Sequence, residues 1–283
     1  MIYIFLAGIL WGIIGIFVNE LSALGLDVEF ISFLRMSFAF IIMFTISAIK
    51  HGRKIFILDK KTLFLCALLG LICQGMFNIC YSLSIKLNGV GTASVLMYSA
   101  PVFTAIACRI LFHEGFSGMK IFALALNILG CILTVTGGNF SGSNNISLLG
   151  ILAGLYSGFG YGMVAVIGKL ASDKTDSMII SAYSYLFAMI FLFIFARPEI
   201  IINSKILTLG FLYGLIPTSL AYVLYYAGLS KIRDVSRAPV IASIEPVTAV
   251  ITGLIIYNEV IGLANIAGIL LVLASIIIIV RLR

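Results

Sequence analysis

The sequence predicts an all-α membrane protein whose ten transmembrane helices form two inverted five-helix repeats. Three observations carry that expectation. Apolar runs of about twenty residues, enough to cross a ~30 Å hydrocarbon layer at 1.5 Å per residue, recur along the whole chain. A constant shift of 145 residues pairs Tyr81 with Tyr226, Lys86 with Lys231, Ala93 with Ala238, Pro101 with Pro246 and Glu114 with Glu259. Basic residues concentrate in alternate loops. Composition excludes the soluble classes, because 62% hydrophobic and 10% charged residues leave too little polar surface to cover a water-exposed body.

Taken in order, the crossings are expected at about 2–18, 30–49, 62–86, 91–112, 119–137, 148–169, 178–196, 206–229, 236–257 and 262–281. The first could be mistaken for a signal peptide, but it lacks a basic n-region and an Ala-x-Ala-like cleavage site. Its Leu6–Gly12 stretch also resembles Leu152–Gly158, so it is read as a membrane helix. The polar, glycine-rich stretch from Gly137 to Asn145 separates helices five and six. The expected domains are therefore residues 1–139 and 145–283, joined by a linker at 140–144. Five crossings per repeat make the second repeat enter the membrane in the opposite orientation, which is the inverted architecture.

Fourteen of the eighteen lysines and arginines fall in the 2–3, 4–5, 6–7 and 8–9 loops and the C-terminus. The positive-inside rule then places both termini in the cytoplasm, for a multi-pass protein of the inner, cytoplasmic membrane. The net charge of +7 is read as topology, with no nucleic acid as partner, since no basic helix face is present. The five cysteines lie in apolar runs, and Cys66, Cys73 and Cys80 recur every seven residues. With only His51 and His113, both at or near loops, this spacing reads as small-residue packing; no metal and no cofactor are expected. Gly158, Gly160 and Gly162 lie in a crossing with no preceding strand and are not a nucleotide loop. The four-residue spacing of Gly150, Gly154, Gly158 and Gly162 fits close helix packing, static or sliding.

Inside the membrane the charges reduce to Arg35 on helix two and Glu245 on helix nine. An unpaired charge at that depth costs several kcal/mol, so the two either pair with each other or face a watery cavity. Pro101 and Pro246 interrupt helices four and nine and free backbone acceptors at depth. Gln74, Asn78 and Tyr81 share one face of helix three. Trp11, Tyr98, Tyr156, Tyr222 and Tyr226 offer apolar faces with polar edges. These side chains, with Glu245, are the expected substrate-binding set at the repeat interface.

The chain resembles the drug/metabolite transporter superfamily and, within it, the EamA-like ten-helix transporters. The resemblance rests on Trp11-Gly12, on Arg35 followed by Ala39, on Ala100-Pro101-Val102 leading to Glu114, and on Glu245-Pro246-Val247 leading to Glu259. It implies a bundle of five plus five helices and a central cavity. It also implies transport of small metabolites, often amino acids and commonly exported. The second repeat departs from the first, with Tyr156-Ser157-Gly158 against Leu10-Trp11-Gly12 and Ser184 near the position of Arg35, so an asymmetric cavity is expected. The leading function is thus a secondary active transporter of small organic solutes, coupled or not to a proton, working by alternating access in the lipid bilayer. A passive channel is the alternative, although one Arg and one Glu make a poor ring. An enzyme is not expected, because no nucleophile–base pair or metal cluster appears. Monomer and homodimer are both compatible with the sequence.

Overall fold

The structure is a computed structural model and describes residues 1–139, 147–196 and 203–282. The expected linker, 140–144, lies outside the described residues. The described chain is helical, with no strand. Nine of its helices are long and apolar enough to cross a membrane: α1 (Ile2–Ala23), α2 (Val28–His51), α3 (Lys60–Met97), α5 (Gly118–Thr136), α6 (Leu148–Ser172), α7 (Ser177–Ala196), α8 (Ser204–Leu229), α9 (Val235–Tyr257) and α10 (Leu263–Arg281). The tenth, α4 (Ala100–Leu111), is shorter.

The thirty-eight residues of α3 are not one rod. At Gly89 the backbone takes φ 81° and ψ 161°, which only glycine adopts without strain. Close approaches to α6 trace the path of the chain on either side of that turn. Passing along α6 from Gly150 to Gly154 to Gly160, the neighbours are Leu87 and Asn88, then Ser84, then Phe77 and Ile72. From Gly154 to Gly158 to Gly162, they are Leu96, then Ser99, then Ala100 and Thr104. The chain descends along α6, turns at Gly89 and ascends beside it into α4. Residues 90–111 therefore form a crossing of their own, corresponding to the fourth one expected at about 91–112. The Asn88 side chain fixes the turn by donating to the Ser147 carbonyl at 3.1 Å and accepting from its N–H at 2.8 Å.

The backbone irregularities recur at the same shift as the sequence. A π-helical stretch at Leu69–Met76 returns at Gly214–Leu220. Tyr98 breaks its helix at φ −73°, ψ 5° and Ser243 does so at φ −68°, ψ 5°. Among the described residues, two that are not glycine have positive φ, His113 and Asn258, both at 54°. In the second π stretch the cause is Pro217, which has no N–H to give and whose ring displaces the carbonyl of Tyr213. The Thr218 hydroxyl takes up that carbonyl at 2.9 Å. The two proline breaks also share a packing solution. Gly158 and Gly162 of α6 lie against the carbonyls of Leu96 and Ala100 at the α4 break, while Gly8 and Gly12 of α1 lie against those of Ala242 and Glu245 at the α9 break. In each case the opposite half supplies a helix with no side chain at the point of crossing.

Ion pairs sort the loops onto two faces. Lys86 pairs with Glu29 at 2.5 Å and Lys205 with Glu20 at 3.5 Å, joining the 3–4 and 7–8 loops to the 1–2 region. Lys50 pairs with Asp176 at 3.2 Å, joining the 2–3 and 6–7 loops. The basic-rich loops and the basic-poor loops thus occupy opposite ends of the bundle.

Candidate functional site

A cavity of about 310 Å³ runs between α1, α2, α3, α6, α8 and α9, with Tyr98 at the join of α3 and α4 also on its lining. Its base is aromatic. The Trp11 ring meets Tyr225 at 4.9 Å, Tyr222 at 5.1 Å and Tyr161 at 6.0 Å between centroids, tilted or edge-on. From there it extends to Val28, the first residue of α2, and to Ile85, beside Lys86, so it opens on the basic-poor face.

Two charges line this cavity without forming an ion pair with each other. Arg35 is 7% exposed, and Ala39, one turn further on, packs on Gly214 of the second π stretch. Its guanidinium donates to Asn78 Oδ1 at 3.3 Å and to the Tyr213 hydroxyl at 3.4 Å, and stands over the Tyr213 ring at 5.2 Å. Asn78 is held for that task, since its amide donates to the Gln74 carbonyl and its oxygen also accepts from Ser32. Burying a guanidinium on neutral acceptors and an aromatic face leaves its positive charge uncompensated. Glu245 lies in the first helical turn after the Ser243 break, where unsatisfied N–H groups favour a carboxylate. It accepts a hydrogen bond from the Tyr161 hydroxyl. Two buried donors on the lining, Trp11 Nε1 and Arg35 Nε, have no acceptor among the described residues. The site therefore offers an arginine fork, a carboxylate and an indole N–H around an apolar, aromatic hollow.

Of the residues expected from sequence, Trp11, Asn78, Tyr81, Tyr98 and Tyr222 line this cavity together with Arg35 and Glu245. Gln74, Tyr156 and Tyr226 do not. Gln74 is buried in the first π stretch, 1% exposed, and both its amide atoms lack a partner among the described residues. Tyr226 is packed among Tyr222, Tyr225 and Gly168 of α6, and Tyr156 leans on Phe159. Pro101 and Pro246 are buried behind the breaks they cause rather than on the lining. Tyr161, Tyr213, Phe77 and Ser32 join the site unannounced. Tyr161 was legible in part. At 100° per residue it lies about 60° from Gly158, on the packed face of α6, whereas Tyr156 lies about 160° away. Tyr213 had no such signal, since only the fold brings it to Arg35, 178 residues earlier.

The EamA-like transporter family model matches residues 1–136 and 148–281. The chain belongs to the EamA-like transporter family. It is a multi-pass membrane transporter and not an enzyme. Among related chains, an uncharacterized transporter of Archaeoglobus fulgidus is 28% identical over 280 residues, covering 97% of this chain and 94% of its own. The uncharacterized inner membrane transporter YicL of Salmonella typhimurium is 25% identical, covering 99% and 94%. A solved crystal structure superposes on 98% of the chain, and on 96% of its own, with a TM-score of 0.81 at 14% identity, a likeness of fold alone.

Proposed function

We propose that this EamA-like protein is a secondary active transporter that exports small zwitterionic metabolites, amino acids among them, by alternating access between two inverted repeats. The observation that carries the reading is the pair of opposite charges that line one cavity and form no ion pair with each other. A carboxylate group of the solute meets the Arg35 fork, as planar bidentate recognition favours, and its ammonium meets Glu245. The aromatic base takes the apolar side chain. Coupling follows from occupancy. Glu245 holds either a proton or the ammonium, so a proton entering from outside displaces the solute, and one carboxylate suffices for exchange. A channel needs a ring of like groups around an axis, and Arg35 and Glu245 form none.

Orientation is the first expected outcome: a reporter fused after Arg283 gives a cytoplasmic signal, placing the Lys50–Lys61 loop inside and the cavity mouth outside. An external signal would reverse the exporter reading. The second concerns Trp11. Trp11→Phe keeps an aromatic ring against the three tyrosines but removes the unpartnered N–H. Amino-acid counterflow in liposomes is expected to show a KM raised about tenfold, the loss of one buried hydrogen bond, with little change in Tm. A lowered Tm at unchanged KM would make Trp11 a packing residue only.

A further inference from the structure

At the basic-rich end the two halves of the bundle are joined by a carboxylate that has no part in the proposed exchange of proton and solute. Glu114 follows the C-terminus of α4 and is 7% exposed. Its Oε1 accepts from the Val235 N–H at 2.5 Å, and its Oε2 accepts from the Ser236 N–H at 3.3 Å and from the Ser236 hydroxyl. Lys120 pairs with it at 3.1 Å, both side chains 5% exposed. Glu114 thus caps the first turn of α9 with charge-assisted bonds and ties the two halves together at that end.

The second half carries the same device unlatched. Glu259 stands 145 residues on, with the same posture: it follows a residue at φ 54°, and its N–H donates to the Gly253 carbonyl at 3.2 Å, as that of Glu114 donates to Cys108 at 3.3 Å. By the same shift, the groups matching Val235 and Ser236 are Val90 and Gly91, the first residues after the Gly89 turn, at the rim of the open face. Here Glu259 is exposed, its carboxylate folded over Gly253 of its own helix, and Val90 is 58% exposed.

We propose that Glu114 and Glu259 are reciprocal gate residues. In the arrangement seen here Glu114 holds the basic-rich end shut; in the alternate state it releases α9, while Glu259 accepts the N–H groups of Val90 and Gly91 and shuts the mouth of the cavity. The inference rests on the alternating-access reading and adds to it the residues that hold each end. The two latches are unequal. Lys120 is matched by Asn265, whose side chain is engaged with the Thr134 carbonyl and the Gly262 N–H, so Glu259 has no lysine beside it. The state with the Glu114 latch closed is therefore the favoured one at rest.

The cross-linking readout needs no substrate. Val90→Cys and Val260→Cys, both exposed in this structure, are cross-linked in membranes with a short, polar bismaleimide. The background carries Cys80→Ala, the other four native cysteines being buried. Glu114→Gln is expected to raise the cross-linking rate about tenfold, the weight of one charge-assisted bond. Ser236→Ala moves it the same way while leaving the buried Glu114–Lys120 pair intact, and stands in if Glu114→Gln fails to fold. Adding Glu259→Gln to either variant returns the rate to its starting value. A rate that responds to Glu114 and Ser236 but ignores Glu259 overturns the latch while leaving alternating access standing. The same rate in every variant, with no solute counterflow, overturns both.

Discussion

Glu245→Gln is expected to abolish solute accumulation driven by a pH gradient while counterflow of the same solute between equal pH values persists. The substitution keeps the shape of the side chain and its capacity to accept from the Tyr161 hydroxyl, but it can neither take up nor release a proton. If Glu245 exchanges its proton for the ammonium of the solute, the variant is uncoupled: solute still reaches the cavity through Arg35 and the aromatic base, and no proton is passed. The measurement is uptake into proteoliposomes with and without an imposed pH difference. Arg35→Lys is the companion, because it keeps a positive charge and loses the fork, and should weaken binding while coupling survives. Should Glu245→Gln accumulate solute under a pH gradient as the parent does, Glu245 is a structural partner of Tyr161 and the proton travels elsewhere.

The second large effect is on assembly of the bundle. A methyl group at Gly162 would come within 2.6 Å of the Ala100 carbonyl oxygen and 2.9 Å of Thr104 Oγ1, and that hydroxyl donates to the Gly162 carbonyl at 2.8 Å. Neither atom can retreat, since one is backbone at the α4 break and the other is buried. Gly162→Ala should therefore push α4 off α6 and cost roughly 1–3 kcal/mol, as overpacking of a tight interior does, with a bulkier residue costing more. Gly15→Ala is the control. Nothing lies within 4 Å of the added methyl, so a change that only improves helix propensity is neutral or stabilising by up to about 1 kcal/mol. Thermal unfolding in detergent compares the two. Equal Tm values for both variants would remove close packing as the reason for the glycine stripe.

Much of the fold was legible because a membrane makes stringent demands on sequence. Hydrocarbon admits only long apolar helices here, so crossings could be counted, and the shift of 145 was visible wherever a rare residue, such as Pro101 or Pro246, marked the register. The two membrane-depth charges could be picked out for the same reason: against an apolar background each is conspicuous. Their partners were not conspicuous. Whether Arg35 and Glu245 pair depends on where two helices sit, 210 positions apart in the chain, and the expectation left both arrangements open. Tertiary structure separates them, giving Arg35 to Asn78 and Tyr213 and Glu245 to Tyr161. The same limit explains Gln74 and Tyr226, which have the right chemistry on helices that border the cavity but are turned away from it. Local register specifies a face of a helix, and the π-helical stretches at Leu69–Met76 and Gly214–Leu220 rotate that face in a way that ordinary helical periodicity does not describe. Sequence by itself thus determined the class, the crossings, the repeat of the proline breaks and the two membrane-depth charges that line the cavity, because burial in lipid penalises each wrong choice one residue at a time. Which of those residues meet around one cavity, and that Glu114 of the first half reaches the start of α9, was decided only by the packing of the two halves, because those contacts join positions that no local rule relates.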